Sequence, residues 1–341
     1  MTDWLVINEN VEADSHGVNL RVTRTVRAWQ VRHRRQSQPM PSTPPPSSHA
    51  PSVAGLGQAN TQHYENFPVA SWLCPPALRP AILAIYHFAR SADDIADEGD
   101  ASPEQRLQEL GHYRQALTRC LDAAPPPQAR WGHVFAPLAQ VIAQHQLPVQ
   151  LLHDLISAFE QDVRHTAAGY RYRDTAELLN YCRLSANPVG RLLLHLYGVS
   201  DALSLQRSDQ ICSALQLINF WQDLSVDLPR HRHYLPHDRL LAHGVEASRL
   251  VPALQNDAAA EALVAELCHE ARQLMLAGAP LAVTLPGRVG WELRLVVQGG
   301  LLILDRAQAL HHRTWHTRPR LRTWDMPLLL WRAIRMELLP T

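Results

Sequence analysis

Two stretches of this chain set a pair of aspartates four residues apart within runs of helical periodicity, Asp93 with Asp97 and Asp223 with Asp227. At 3.6 residues per turn, positions i and i+4 stack on one face, so each pair presents two carboxylates side by side. Such neighbours repel, and a fold that repeats the arrangement has a use for concentrated negative charge. Hard divalent cations, which take oxygen ligands, are the obvious counter-charge.

The surrounding chain reads as all-helical. From Thr61 onward, apolar residues recur at helical spacing and the runs are broken by Pro and Gly. The spacing predicts helices near 78–98, 104–121, 131–145, 149–166, 174–182, 188–197, 207–228, 258–277 and 289–312, followed by a tail with helical pieces. Hairpin signals are missing, and neither GxGxxG nor GxxxxGK(S/T) occurs, which argues against a nucleotide-binding α/β fold. The expectation is a single large helical bundle with a central cavity over residues 61–341. Residues 1–60 differ: an arginine-dotted stretch from Arg21 to Arg35 precedes a Pro/Ser segment from Pro39 to Ser52, and the reading is a disordered extension.

Composition narrows the class further. Lys+Arg and Asp+Glu both number 32, so no global field favours nucleic acid, and none is expected as a partner. The five cysteines are odd in number and form no CxxC, which speaks against a disulfide framework or a zinc knuckle and for a reducing cytoplasm. No run approaches the roughly 20 apolar residues of a membrane span, and no secretory h-region follows a basic start. None of the nineteen histidines forms HExxH, so they are assigned no metal.

In the first acidic helix, Pro80 sits in the first turn and Gly99 is a natural stop. Ile82, Ile85, Tyr86 and Ala89 give an apolar face, and Arg90, Asp93 and Asp97 follow along a neighbouring stripe, with Asp94 and Glu98 beside them. The acids fall in the last turn, where the helix dipole disfavours a carboxylate unless a cation compensates it. A solvated acidic end is the plain alternative. In the second, Ser208 is the candidate N-cap, and Gln216, Asn219, Asp223 and Asp227 make a polar stripe flanked by Leu215, Ile218, Trp221 and Leu224. So polar a stripe in so apolar a helix should face a wet cavity or a ligand, or else close a structural hydrogen-bond network. Arg230, Arg232, His233 and Tyr234 follow at once. Arginines beside bound cations suit a diphosphate, whose oxygens accept bidentate guanidinium bonds.

These residues resemble the squalene/phytoene synthases, class I isoprenoid enzymes with two DxxxD motifs on facing helices, here DDIAD at Asp93–Asp97 and DLSVD at Asp223–Asp227. HYENFPVASWLCP (residues 63–75), YCRLSANPVG (181–190) and WELRLVVQGG (291–300) are most similar to the hydroxysqualene synthase branch of bacterial hopanoid biosynthesis. The resemblance implies presqualene diphosphate as substrate, hydroxysqualene as product, Mg²⁺ as cofactor, and functional coupling to other enzymes of the squalene pathway. It implies that Asp93, Asp97, Asn219, Asp223 and Asp227 hold the metal, and that Arg90, Gln216, Arg232, Tyr234 and Phe67 bind substrate. Where head-to-head condensing members place a late Arg and Tyr, this chain has Gln298 and Gly300, which favours a one-substrate reaction.

A carbocation left on a long hydrocarbon needs an apolar, nearly dry pocket. Phe67, Val69, Leu194, Leu217 and Phe220 are candidates to line it, with Tyr181 and Asn187 as polar intrusions that steer a water or close buried hydrogen bonds. Gly190 opens an apolar helix, as a turn or as a point of close approach to a ligand. The C-terminal tail mixes arginines with Trp315, Trp324 and Trp331, a composition suited either to peripheral contact with the inner face of a membrane or to docking on the bundle. Two rival readings remain: condensation of two farnesyl or geranylgeranyl diphosphates, and a non-catalytic helical assembly factor.

Overall fold

Helix α1 (Arg79–Asp97) begins with Pro80, whose missing N–H costs nothing in a first turn, and ends where Gly99 adopts a left-handed φ of 75°. It buries Ala81, Ala84, Ile85, Phe88 and Ala92, the small residues letting neighbouring helices approach closely. Those neighbours are α2 (Pro103–Asp122), α3 (Gly132–His145) and α4 (Val149–Ala168). Ser102 and Gln105 cap α2 reciprocally, side chain to backbone. The Tyr113 hydroxyl donates to the Phe88 carbonyl at 3.0 Å, and the Phe88, Tyr113 and Phe135 rings pack at centroid distances of 4.7–6.1 Å. This aromatic knot centres the first of two apolar clusters.

The computed structural model describes residues 74–123, 125–126, 128–246 and 257–336. The expected N-terminal extension, its boundary at residue 60, and the candidates Phe67 and Val69 lie outside them. The remaining helices are α5 (Thr175–Ser185), α6 (Asn187–Leu196), α7 (Ala202–Gln222), α8 (Leu224–Asp227), α9 (His237–Ala242), α10 (Ala258–Gly278), α11 (Pro280–Thr284), α12 (Gly287–Ala309) and α13 (Met326–Arg335). Among the described residues there is no β-strand, only an isolated bridge between Arg171 and His233. The all-α expectation holds.

Helix α7 is buried on nearly every side, as expected of a central helix, and packs on α6, α10 and α12. With them it builds the second cluster, around Trp221, Leu263, Val297 and Trp315. Three expectations need correction here. The N-cap of α7 is Asp201, which accepts from the Ser204 N–H at 2.9 Å; Ser208 is buried inside the helix. Gly190 marks neither a turn nor a ligand contact. A Cβ there would lie 2.5 Å from both Cys212 Sγ and Ser208 Oγ, so its role is to let α6 lie flush on α7. And the helix predicted over 207–228 is interrupted: α7 stops at Gln222, Asp223 takes φ −99° and ψ 13°, and the one-turn α8 carries on to Asp227.

The tail docks on the bundle. Trp315 is 1% exposed, Arg306 donates to Asp325 at 2.5 Å, and Arg332 on α13 donates to Asp305 on α12 at 2.8 Å. Trp315 therefore belongs to the core and not to a membrane-facing surface.

Candidate active site

The acidic end of α1 is organised by Arg90. Its guanidinium donates to Asp93 at 2.8 Å and pairs with Asp94 at 2.6 Å and Glu98 at 2.7 Å, so one cation gathers three acids on the face where the i+3 and i+4 positions stack. Burial first, and the neighbouring Asp97 second, push the Asp93 carboxyl up to about 7.

The second motif survives the helix break because backbone hydrogen bonds cross it. The Asp223 N–H donates to the Asn219 carbonyl and the Asp227 N–H to the Asp223 carbonyl, both at 2.9 Å, so the four-residue phase from Asn219 to Asp227 persists. The break coincides with two contacts from the tail: Gln222 Nε2 donates to the Pro319 carbonyl at 2.6 Å, and Arg318 donates to both carboxylate oxygens of the fully buried Asp223, at 2.5 and 3.1 Å. Asp227 is pushed up to about 7, by burial and then by Asp223.

Between the two motifs stands Arg232. After α8 the chain makes a 3₁₀ turn over Leu228–Arg230, His231 takes a left-handed φ of 59°, and the Arg232 N–H returns to the Asp227 carbonyl at 3.0 Å. The Arg232 side chain donates to Asp97 and lies 4.0 Å from Asp227. The two acidic walls, 130 residues apart in sequence, are thus joined through one guanidinium. Of the cations expected to bind diphosphate, Arg232 and Arg90 are at the walls, each already engaged by carboxylate, whereas Arg230 is exposed.

Asp162 on α4 is the residue that sequence reasoning missed. Tyr181 on α5 donates to its Oδ2 at 2.5 Å, and its carboxyl is pushed up to about 7, chiefly by burial, with Arg232, Asp97 and Asp93 close enough to act on it electrostatically. The spacing of Leu155, Ala158 and Asp162 carried a signal, since steps of three and four put the acid on the buried stripe of α4. Tyr181, Tyr234, Phe220 and Tyr172 form a ring cluster beside it. Phe220 stacks on Tyr234 at 3.8 Å and an interplanar angle of 12°, and Tyr181 lies 6.2 and 6.4 Å from Phe220 and Tyr234. Burial, then the Asp162 charge, drive the hydroxyls of Tyr181 and Tyr234 far above the usual phenol range, so both stay protonated.

Other candidates fall elsewhere. Asn187 Oδ1 accepts from Ser213 at 2.9 Å, a buried α6–α7 link. Gln216 is half-buried on α7. Leu194 and Leu217 are core, and only Phe220 of the described apolar candidates enters the ring cluster. A cavity of about 650 Å³ opens between α4 and α5, lined by residues including Ser157, Gln161, Asn180, Tyr181 and Leu184. Its walls are more polar than expected, because it lies between the outward faces of the two helices. On α12, Gly300 packs against Met275, Ile218 and Leu215, and Gln298 is buried. A late arginine reaches the site after all, from position 318.

A divalent cation fits this donor set. The candidates are hard oxygens, and two of the carboxyls, Asp93 and Asp227, are pushed up by burial and by their acid neighbours Asp97 and Asp223, a crowding of negative charge that a cation relieves. Among the described residues no three His, Cys, Asp or Glu side chains group closely enough to hold a metal by themselves.

The chain is similar to known proteins over most of the described residues. The family model described as squalene/phytoene synthase matches residues 60–325. A hydroxysqualene synthase of Rhodopseudomonas palustris is 35% identical over 247 residues, covering 72% of this chain and 80% of that protein. One from Zymomonas mobilis is 39% identical over 202 residues, covering 58% of this chain and 64% of its own. The crystal structure of squalene synthase HpnC from Alicyclobacillus acidocaldarius superposes with a TM-score of 0.65 at 32% identity, over 73% of this chain and 90% of that one.

Proposed function

The chain belongs to the squalene/phytoene synthase family, and on that premise we propose that it ionises presqualene diphosphate with Mg²⁺ and traps the cation with water, giving hydroxysqualene and diphosphate. The observation that carries the reading is the convergence of both DxxxD motifs on Arg232. Folding brings together the two acidic walls and a guanidinium between them, the parts that a departing diphosphate requires.

In this reading Asp93, Asp97, Asn219, Asp223 and Asp227 hold the metal. Bound Mg²⁺ supplies Lewis-acid stabilisation of the leaving diphosphate. Arg232 and Arg90 exchange carboxylate for phosphate oxygens as substrate arrives, keeping every charge paired while the bond breaks. Arg230 and Gln216, at the rim of the second motif, contribute further polar contacts. Phe67 would add an apolar contact to the hydrocarbon. The faces of Tyr181, Phe220 and Tyr234 offer π density to the carbocation. The Tyr181 hydroxyl donates a hydrogen bond to Asp162, which leaves its oxygen lone pairs to orient a water for the quench, and the proton that this water sheds on adding to the cation leaves with the diphosphate. Asn187 supports this wall from the α6–α7 link.

No described helix is long and apolar enough to cross a membrane. The five cysteines are buried and unpaired, and the setting that suits them is the cytoplasm. The catalytic domain runs from residue 61, coupled functionally to the enzymes that make its substrate and consume its product.

The decisive experiment incubates the pure protein with Mg²⁺ and either presqualene diphosphate or farnesyl diphosphate and identifies products by mass spectrometry. Hydroxysqualene from the first substrate is expected. Consumption of farnesyl diphosphate alone overturns the reading in favour of condensation, and a cellular role untouched by Asp93→Asn and Asp223→Asn would point to an assembly factor.

A further inference from the structure

We propose that α13 and the turn before it form a docking surface for an anionic lipid bilayer. Of the ten large hydrophobic side chains exposed among the described residues, five fall within residues 324–334: Trp324, Leu328, Leu330, Trp331 and Ile334. Trp324 is 67% and Trp331 53% exposed. At 100° per residue, Leu330, Ile334, Pro327 and Trp331 follow one another around the outward arc of α13, while Leu329 and Ala333 fill the inward arc against α12. The helix is apolar on both faces, and among the described residues only one of them is packed. A contiguous patch of this kind marks an interaction surface.

The charge around the patch selects the partner. From Thr314 to Arg335 the chain carries five arginines and one acid, Asp325, which is buried and held by Arg306; Arg318 and Arg332 are held by Asp223 and Asp305, and the cations set against the exposed indoles are Arg322 and Arg335. Arg322 lies over the Trp324 ring and Arg335 over the Trp331 ring, each at 4.9 Å. Exposed indoles paired with guanidinium groups match the level of a lipid headgroup, where the ring is half wet and the cation meets phosphate. A two-fold contact with a second copy of the chain would bury the same apolar arc but set these arginines against their own counterparts. The reason for such a surface rests on the proposed reading: a substrate with a long hydrocarbon chain partitions into bilayers.

The test is flotation of the full chain, without Mg²⁺ or substrate, on vesicles of phosphatidylcholine alone or mixed in equal parts with phosphatidylglycerol. The protein should float with the mixed vesicles. Trp331→Ser with Ile334→Ser should lower its partition roughly tenfold per anchor removed, and Arg322→Glu with Arg335→Glu should lower it on the mixed vesicles alone. Thermal midpoints equal to the parent's would show that the variants keep α13 folded. Equal partition of parent and variants, equal binding to both vesicle types, no flotation at all, or a dimer that the double substitution dissolves each overturns the proposal. Vesicle binding needs no turnover, so its failure leaves the catalytic reading standing, and an inactive protein that floats leaves this one standing.

Discussion

Arg318 reaches across 95 residues of sequence to donate to both carboxylate oxygens of Asp223. Taking the guanidinium away leaves a fully buried carboxylate without its bidentate partner, a change that costs about 3–5 kcal/mol in comparable sites. Arg318→Ala should lower the urea midpoint accordingly with little change in slope. Arg318→Lys should recover only part of the loss, because an ammonium cannot make the parallel pair of bonds. An unchanged midpoint in Arg318→Ala would reduce the ion pair to an incidental contact.

Asp162 gives stability a pH dependence of definite sign. Its folded carboxyl titrates at about 7, whereas an unfolded one titrates near 3.9. Between those values the folded protein keeps a proton that the unfolded chain has released, so stability falls as pH rises through this window and the loss is complete above it. Asp162→Asn keeps an acceptor for Tyr181 and removes the titration. Thermal midpoints should then be higher than the parent's at pH 8, merging with it near pH 4. A parallel pair of curves would contradict the assigned burial.

Metal and diphosphate should displace protons. Asp93 and Asp227 both titrate at about 7, and only their ionised forms bind a cation. Titrating Mg²⁺ with inorganic diphosphate near neutral pH, in buffers of different ionisation heat, should show net proton release to the buffer. The thermal midpoint should rise with ligand concentration. Asp93→Asn should weaken both signals. Binding without proton release would mean that these carboxylates do not meet the metal.

Gly190→Ala tests the α6–α7 contact. In an open helix the change stabilises by about 0.5–1 kcal/mol. Here the new methyl meets two short side chains, Cys212 and Ser208, at 2.5 Å, and overpacking of this kind costs about 1–3 kcal/mol. Chemical denaturation should therefore show a net loss. A gain would mean that the helices part without cost.

The amphipathic helices were legible because their period is written in every turn: the expected 78–98 and 149–166 match Arg79–Asp97 and Val149–Ala168 within two residues. The short α9 and α11 hold too few turns for a period to stand out, while α13 is one of the helical pieces expected in the tail. The break at Asp223 was hidden because DLSV looks helical locally, and its partners, Pro319 and Arg318, come from a tail nearly a hundred residues away. The acid pairs and Arg232 were readable as local motifs. Asp162 was not, since an acid beside Glu160 in the polar run FEQDVRH resembles a solvated one until Leu155 and Ala158 are seen to share its stripe.

The contact between the tail and the second motif has a practical consequence for anyone trimming the protein. Deleting the last turns to improve expression would be harmless to a bundle whose C-terminus merely hung free. Here a truncation before Arg318 would strip the guanidinium from Asp223 and the carbonyl from Gln222, disabling the acidic centre from a distance.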